Sequence, residues 1–572
     1  MQLVTTTDEH LTAREPADAV VPLDLLLASA TRSPLAALLP DSSTLRWAAA
    51  LGRRPGSTGS RLSALIRESG RVLAGTTTIS VPRRDRRFAD PAWSENPLLR
   101  RLLQFYLACG DTAQQLVDDA ELGPADRLRV SLLVDNLRHA LAPSNVPLLN
   151  PTSAKSAVDS GGLSLMRGLR HILQDLSSAP RLPAMVEPGA FSVGEDLATS
   201  PGAVIFRNDQ LELMQYAAQT RKVHPVPLLI VPPTINKYYV IDLARKRSFV
   251  EYATSLGHQV FVISWRNPDV RHSHWGFDTY VQAILDAHKV VRSTTSSHQA
   301  AMLGLCSGGI LASIAAAHLA HLGRGGELAA LLLAVTLLDQ APAGTASALL
   351  SPAAADVAKK LSRRRGFLDG ADLAQVFAWL RPGDLIWNYW VNNYLLGKKP
   401  PSFDILFWNS DTVRMTSAMH ADFLDLALDN SLTKAGALRV LGTPIDLSVI
   451  TADAYVAAGS RDHITPWESC YKSVGMFGGV TRFVLSNGGH VAALVNPPGN
   501  NKAGYRVGSS DGLAQSSAKW LQTSEEYSGS WWTDALTWLS ERSGEKVPAP
   551  ASLGSNDFPP IGAAPGTYVF DK

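Results

Sequence analysis

The chain has 572 residues, a formal net charge of +2, 45% hydrophobic residues and 18% charged residues. That length exceeds what one core usually supports, so two folding units, or one large domain with insertions, are expected; the composition excludes a disordered chain. So small a net charge gives no case for nucleic-acid binding through a global basic field, and Arg83-Arg84, Arg86-Arg87 and Arg363-Arg364-Arg365 read as solvated surface before they read as phosphate sites.

Three cysteines, Cys109, Cys306 and Cys470, are too few and odd in number for a disulfide framework, and suit a reducing compartment. The opening MQLVTTTDEHLTAREP carries acids where a signal peptide would be basic and then apolar. The longest apolar run, Leu328 to Leu338, is far short of the ~20 residues of a membrane span. A cytoplasmic protein without a transmembrane segment is expected, though contact with an apolar surface needs no span.

Residues 1–80, rich in Ala, Thr, Ser, Pro and Arg, read as a poorly ordered lead-in. Residues 81–195 read as a helical N-terminal domain. Leu99, Leu102, Leu103 and Tyr106 repeat at helical spacing, a second helix follows Pro124, and a third runs from about Leu163 to Leu176. After Pro201 short β-rich apolar runs appear: Val226–Val231, Gln259–Ser264, Ala300–Gly304, Leu331–Leu338, Ala454–Ala458 and Arg482–Leu485. Buried strands separated by helix-length segments indicate an α/β fold with a mostly parallel sheet covered on both faces, here over 196–572. The rhythm breaks between Leu338 and Ala454. An inserted cap at about 340–445 is expected there, with the aromatic stretch from Asp384 to Asp411 as the cover of a site; ordinary packing of Trp387 to Trp408 is the alternative.

Gly304-Leu305-Cys306-Ser307-Gly308-Gly309 sits between an apolar strand and an apolar helix, the setting of a nucleophile elbow with Cys in place of Ser. The glycines permit a tight turn, and the helix N-terminus favours a thiolate. Cys306 is the candidate nucleophile, and the backbone N–H of Ser307 the first oxyanion donor. Ser307 itself is a lesser candidate nucleophile, and Cys109 and Cys470 read as structural. Asp462 follows the strand AYVAAGS, and His490 follows RFVLS through Asn487-Gly488-Gly489 on a loop. Nucleophile, acid and histidine in this order is the order of α/β-hydrolases, with His490 as general base and Asp462 as its orienter. His463 is the nearest competing base. Ile235 or Asn236, after the first parallel strand, is the expected second oxyanion N–H.

The segments around these residues resemble the polyhydroxyalkanoate (PHA) synthases. DRRFADPAWSENPLLRRLLQFYLA (Asp85 to Ala108), VPPTINKYYVIDL (Val231 to Leu243), FVISWRNPD (Phe261 to Asp269), GLCSGG, DHITPWESCYKS and GGHVAALVNPPGNNK are all similar to segments of that family. FAWLRPGDLIWNYWVNNYLLG, FDILFWNSDTVRM, GTPIDLSVITAD and the tail AAPGTYVFDK are most similar to its class II members. The resemblance implies polymerisation of (R)-3-hydroxyacyl-CoA, of medium chain length, into a polyester. Coenzyme A would leave as part of the substrate, and no cofactor or metal would be bound permanently. It further implies a homodimer at the granule surface and no partner subunit. Asp462 or His490 would then activate the 3-hydroxyl. A thioesterase or esterase on the same fold, and a non-catalytic granule-coat protein, are the competing functions. The C-terminal Trp531, Trp532 and Trp538 read first as core packing and second as a granule contact.

Overall fold

A computed structural model of the protein describes residues 41–572 apart from 83–84, 178, 341–351, 381 and 509–515. Helices Ser42–Gly52, Pro55–Ala74, Pro97–Asp119, Pro124–Ala140, Pro151–Asp159 and Leu163–Ser177 come first. The first two overturn the expectation of a poorly ordered lead-in for its described part; residues 1–40 of that expectation lie outside the described residues. Capping, ion pairs and apolar contact with later helices hold them, none of which composition shows. Asp41 closes a capping box on the first helix, Arg46 pairs with Asp126, and Arg61 pairs with Asp119. Trp47 packs on the small core of Val117, Val130 and Val134. The helices expected near Leu99, after Pro124 and from Leu163 are all present.

Among the described residues the main sheet has eleven strands: β1 Gly202–Arg207, β2 Leu211–Tyr216, β3 Leu228–Val231, β4 Val260–Trp265, β5 Ala300–Leu305, β6 Leu328–Ala334, β7 Asp453–Gly459, β8 Thr481–Ser486, β9 Gly504–Val507, β10 Glu525–Ser528 and β11 Gly562–Ala563. Their spatial order is β10-β9-β8-β7-β6-β5-β3-β4-β2-β1-β11. The run β4-β3-β5-β6-β7-β8 is parallel and corresponds to the six apolar runs of the sequence. Both ends are extended by antiparallel strands, which the sequence analysis did not foresee. The helix Ser307–His321 is buried from Ser307 through Leu319. It is apolar on all sides because it lies within the core rather than on its surface. Trp531, Trp532 and Trp538 are buried too, with Trp532 edge-on to Phe249 at 5.3 Å, so the C-terminal tryptophans pack in the core. No helix among the described residues is long and apolar enough to cross a membrane.

Between β6 and β7 the chain leaves the sheet and forms helices Pro352–Arg365, Gly370–Leu380, Asp404–Ser410 and Ser417–Asp429, with two π-helical turns, Gly383–Trp387 and Trp390–Leu395. These turns lie against the N-terminal helices. The Trp390 indole donates to the Asn145 carbonyl at 3.1 Å, and the Tyr394 hydroxyl to Asp175 at 2.7 Å. Gly168 is the closest approach: a Cβ there would stand 1.7 Å from the Tyr394 carbonyl oxygen. Gly168→Ala is therefore expected to part the helix Leu163–Ser177 from the insertion. Hydrogen exchange checks this: amides of 390–397 should exchange faster while those of the central strands stay protected.

Candidate active site

Four strand ends converge at one edge of the parallel sheet. β5 ends at Leu305, and the next residue, Cys306, turns the chain into helix Ser307–His321 at φ 50°, ψ −120°. Such a backbone is costly for a residue with a Cβ and survives only where its surroundings impose it. Here they do. A Cβ on Gly308 would meet the Val231 and Pro232 carbonyl oxygens at 2.4 Å, and one on Gly304 would meet the Gly309 Cα at 2.4 Å. The Cys306 N–H donates to the Ala334 carbonyl at 3.0 Å, and its own carbonyl accepts from the Gly309 N–H at 3.0 Å. The thiol is thus held at a helix N-terminus, buried to 6% exposure but on the wall of a cavity.

β7 ends at Gly459 and Asp462 follows; β8 ends at Ser486 and His490 follows. The two loops are tied together. Arg461 N–H donates to the Gly488 carbonyl at 3.1 Å, and the Arg461 guanidinium to the Asn487 carbonyl at 2.9 and 2.6 Å. His490 starts the short helix His490–Leu494 instead of lying within a loop, because the chain turns helical directly after Gly489. Its Nδ1 lies 2.7 Å from Asp462 Oδ2. The other Asp462 oxygen accepts from the N–H groups of Ile464 and Thr465 at 2.8 and 2.9 Å, and the Thr465 hydroxyl donates to Oδ2 at 2.6 Å. Sequence reasoning missed Thr465. Its signal is the D-x-x-T spacing, which returns a hydroxyl and an N–H to the aspartate.

Burial works against charge on both members of this pair, yet their mutual attraction and hydrogen bond prevail. The Asp462 carboxyl is held below its ordinary value, with help from Thr465. His490 is pushed up to about 10, with Cys306 adding to the rise. Of the three residues expected as a triad, His490 and Asp462 are in contact, and Cys306 lines the same cavity as His490.

The remaining candidates separate clearly. Ser307 is buried, and its hydroxyl accepts from the Thr234 N–H at 3.0 Å, so it clasps the loop after β3. Its backbone N–H opens the helix and has no acceptor within it. Ile235 and Asn236 both line the cavity beside Cys306, as does His463, whereas the Asp462 carboxylate is engaged by His490. Cys470 is fully buried, and burial pushes its thiol well above the ordinary range; the half-buried Cys109 is raised for the same reason.

The cavity holds about 450 Å³. Its floor is Cys306 and His490, and its roof comes from the insertion, with Leu373, Leu385, Ile405, Leu406 and Trp408. The segment from Asp384 to Asp411 thus supplies part of the cover. Among the described residues no group of three His, Cys, Asp or Glu side chains converges as metal ligands would.

Comparison with known proteins follows the same lines. Residues 84–253 match the family described as "Poly-beta-hydroxybutyrate polymerase (PhaC) N-terminus", and 227–497 match "alpha/beta hydrolase fold". The chain is 45% identical to poly(3-hydroxyalkanoate) polymerase 2 of Ectopseudomonas oleovorans over 91% of its length and 92% of that protein. The chain belongs to the poly(3-hydroxyalkanoate) polymerase family. It is an acyltransferase on an α/β-hydrolase fold. Polymerase 1 of the same organism is 44% identical over 88% of this chain and 89% of that protein. The polymerase subunit PhaC of Cupriavidus necator is 37% identical over 88% of this chain and 85% of that protein.

The pair's electrostatics give a pH prediction. His490 sits above its ordinary 6.5, so its contribution to stability is complete below pH 6.5 and is lost as pH rises toward 10. Asp462 sits below its ordinary 3.8, so its contribution holds above that pH and is lost as pH falls through the lowered value. In Asp462→Asn the burial of His490 remains without the opposing charge. Its ring should then titrate below 6.5, and the variant should lose stability as pH falls through that range. Histidine ring NMR titration with thermal melts at pH 5 and 8 checks both outcomes.

Proposed function

We propose that Cys306 carries the growing chain as a thioester while (R)-3-hydroxyacyl-CoA is polymerised into polyester and coenzyme A is released. The observation that carries this reading is that Cys306 and the Asp462-paired His490 line one cavity beneath an apolar roof. Transfer of the acyl group from coenzyme A to Cys306 exchanges one thioester for another, so little activation is lost. His490 accepts the thiol proton and returns it to the departing sulfur of coenzyme A. With Nδ1 committed to Asp462, Nε2 is the nitrogen left for that proton. The Ser307 N–H and a second N–H from Ile235 or Asn236 receive the oxyanion.

Attack by a hydroxyl then turns the thioester into an oxoester, which is more stable and makes growth downhill. We assign activation of that hydroxyl to His490 rather than Asp462. Both Asp462 oxygens already accept hydrogen bonds and its side chain has no exposed surface, whereas His490 faces the cavity. Water at this step would release free hydroxy acid, so the roof from Leu373 to Trp408 acts as the cover that keeps the thioester dry. The aliphatic lining supports medium-chain monomers. Association with polyester granules, and a homodimer there, belong to the same reading.

Incubation with (R)-3-hydroxyacyl-CoA of four to twelve acyl carbons tests it, with coenzyme A release and polymer measured in the same tubes. Insoluble polyester in step with coenzyme A is expected, best for the medium chains; free acid alone would mark a thioesterase. Cys306→Ala should lower turnover at least about 10³-fold, and adding His490→Ala should cost little more, because the two act as one unit. Unchanged polymer accumulation in Cys306→Ala, in a host with no other synthase, would favour a coat protein.

A further inference from the structure

Lys237 is one residue beyond Asn236, is only 2% exposed, and does not itself line the cavity. A buried ammonium is unfavourable unless each of its donors finds a partner. Here the partners come from far along the chain: Nζ donates to the backbone carbonyls of Tyr568 at 3.1 Å and Asp571 at 2.7 Å. We propose that Lys237 is a positioning residue, clasped by the C-terminal segment 567–572, which holds the wall 235–237 against Trp408 above Cys306.

Each end of the clasp is built. At the wall, the Lys237 carbonyl accepts from the Trp408 indole at 2.8 Å and its N–H donates to the Asp411 carbonyl at 3.3 Å. Next to it, the Val413 N–H donates to the Ile235 carbonyl at 2.7 Å. Ile235, Asn236, Trp408 and Asn409 all line the cavity. At the tail, the fully buried Glu212 carboxylate accepts from the N–H groups of Thr567 and Tyr568 at 2.8 and 2.9 Å, and from the Thr567 hydroxyl at 2.8 Å. The Tyr568 hydroxyl donates to the Asn208 carbonyl at 2.7 Å, and the Arg266 guanidinium lies over its ring at 4.3 Å. Burial lowers the Lys237 pKa, and Asp411 and Asp571 oppose that shift. The tail thus presents carbonyls at a fixed place, and the ammonium transmits that place to the strip of backbone that faces the thioester. Displacing such a strip by a fraction of an ångström weakens an oxyanion donor without touching the nucleophile.

This inference rests on the catalytic reading above, and its test separates the two. Lys237→Met keeps an unbranched side chain one atom shorter and removes the charge. Expected are a fall in kcat for coenzyme A release of about tenfold or more, little change in KM, and an unchanged rate of Cys306 alkylation by iodoacetamide, which needs no oxyanion donor. Truncation after Val569 leaves Tyr568 on Glu212 and removes the Asp571 acceptor; it should lower kcat in the same manner. Combined with Lys237→Met it should add little, because both remove one interaction. The proposal is overturned if either variant, folded by circular dichroism, keeps its kcat, if the two losses multiply, or if alkylation slows in step with turnover. Should Lys237→Met not fold, the truncation decides alone by the same criteria. Full turnover in Cys306→Ala would overturn the nucleophile assignment instead, whatever the Lys237 variants do.

Discussion

Holding Cys306 in the left-handed region between β5 and its helix requires three stretches of backbone to come closer than any side chain would allow. Gly304 lets the strand approach Gly309, and Gly308 lets the helix N-terminus meet the carbonyls of Val231 and Pro232. The remaining energy comes from the sheet, whose central strands are buried on both faces, and from a helix buried on every side. A buried helix can be pressed into the turn from all directions, so the strain at Cys306 is shared by a large core. The buried sulfur at that turn, on the cavity wall, is what the rest of the site is arranged around.

The second constraint is electrostatic. A carboxylate with no exposed side-chain surface would ordinarily be protonated or cost several kcal/mol. Asp462 avoids both outcomes because two backbone N–H groups, one hydroxyl and one imidazole converge on it. Arg461 joins the loops after β7 and β8, so the partners of Asp462 cannot drift apart. The charge on Asp462 favours imidazolium at His490 against the cost of burial.

The cavity belongs to neither the sheet nor the insertion alone. Its floor comes from strand ends, its roof from the segment between β6 and β7, and that roof is packed from behind by N-terminal helices at Gly168, Asn145 and Asp175. The π-helical turns fit this duty, since a widened turn lets Tyr394 and Trp390 reach side by side toward a separate layer. Residues more than three hundred positions apart therefore set the shape of one chamber.

The six parallel strands were legible because each is a short apolar run between helix-length segments, and Cys306, Asp462 and His490 were legible because each follows one of them. The antiparallel strands were not. LELMQY of β2 places Glu212 in the core, where Arg207 of β1 and the distant Thr567 and Tyr568 all bond it, and EEYS of β10 is wholly exposed. The helices between Ser42 and Ala74 were misread because their contacts, Trp47 on the core at Val117 and ion pairs with Asp119 and Asp126, come from helices further along the chain. Local pattern thus determined the sheet, the elbow and the order of the triad, since periodicity and turn chemistry act over a few residues. Only the tertiary structure decided Thr465's support of Asp462, the roof over Cys306 and the clasp on Lys237, because those are long-range or angular contacts that a linear pattern does not encode.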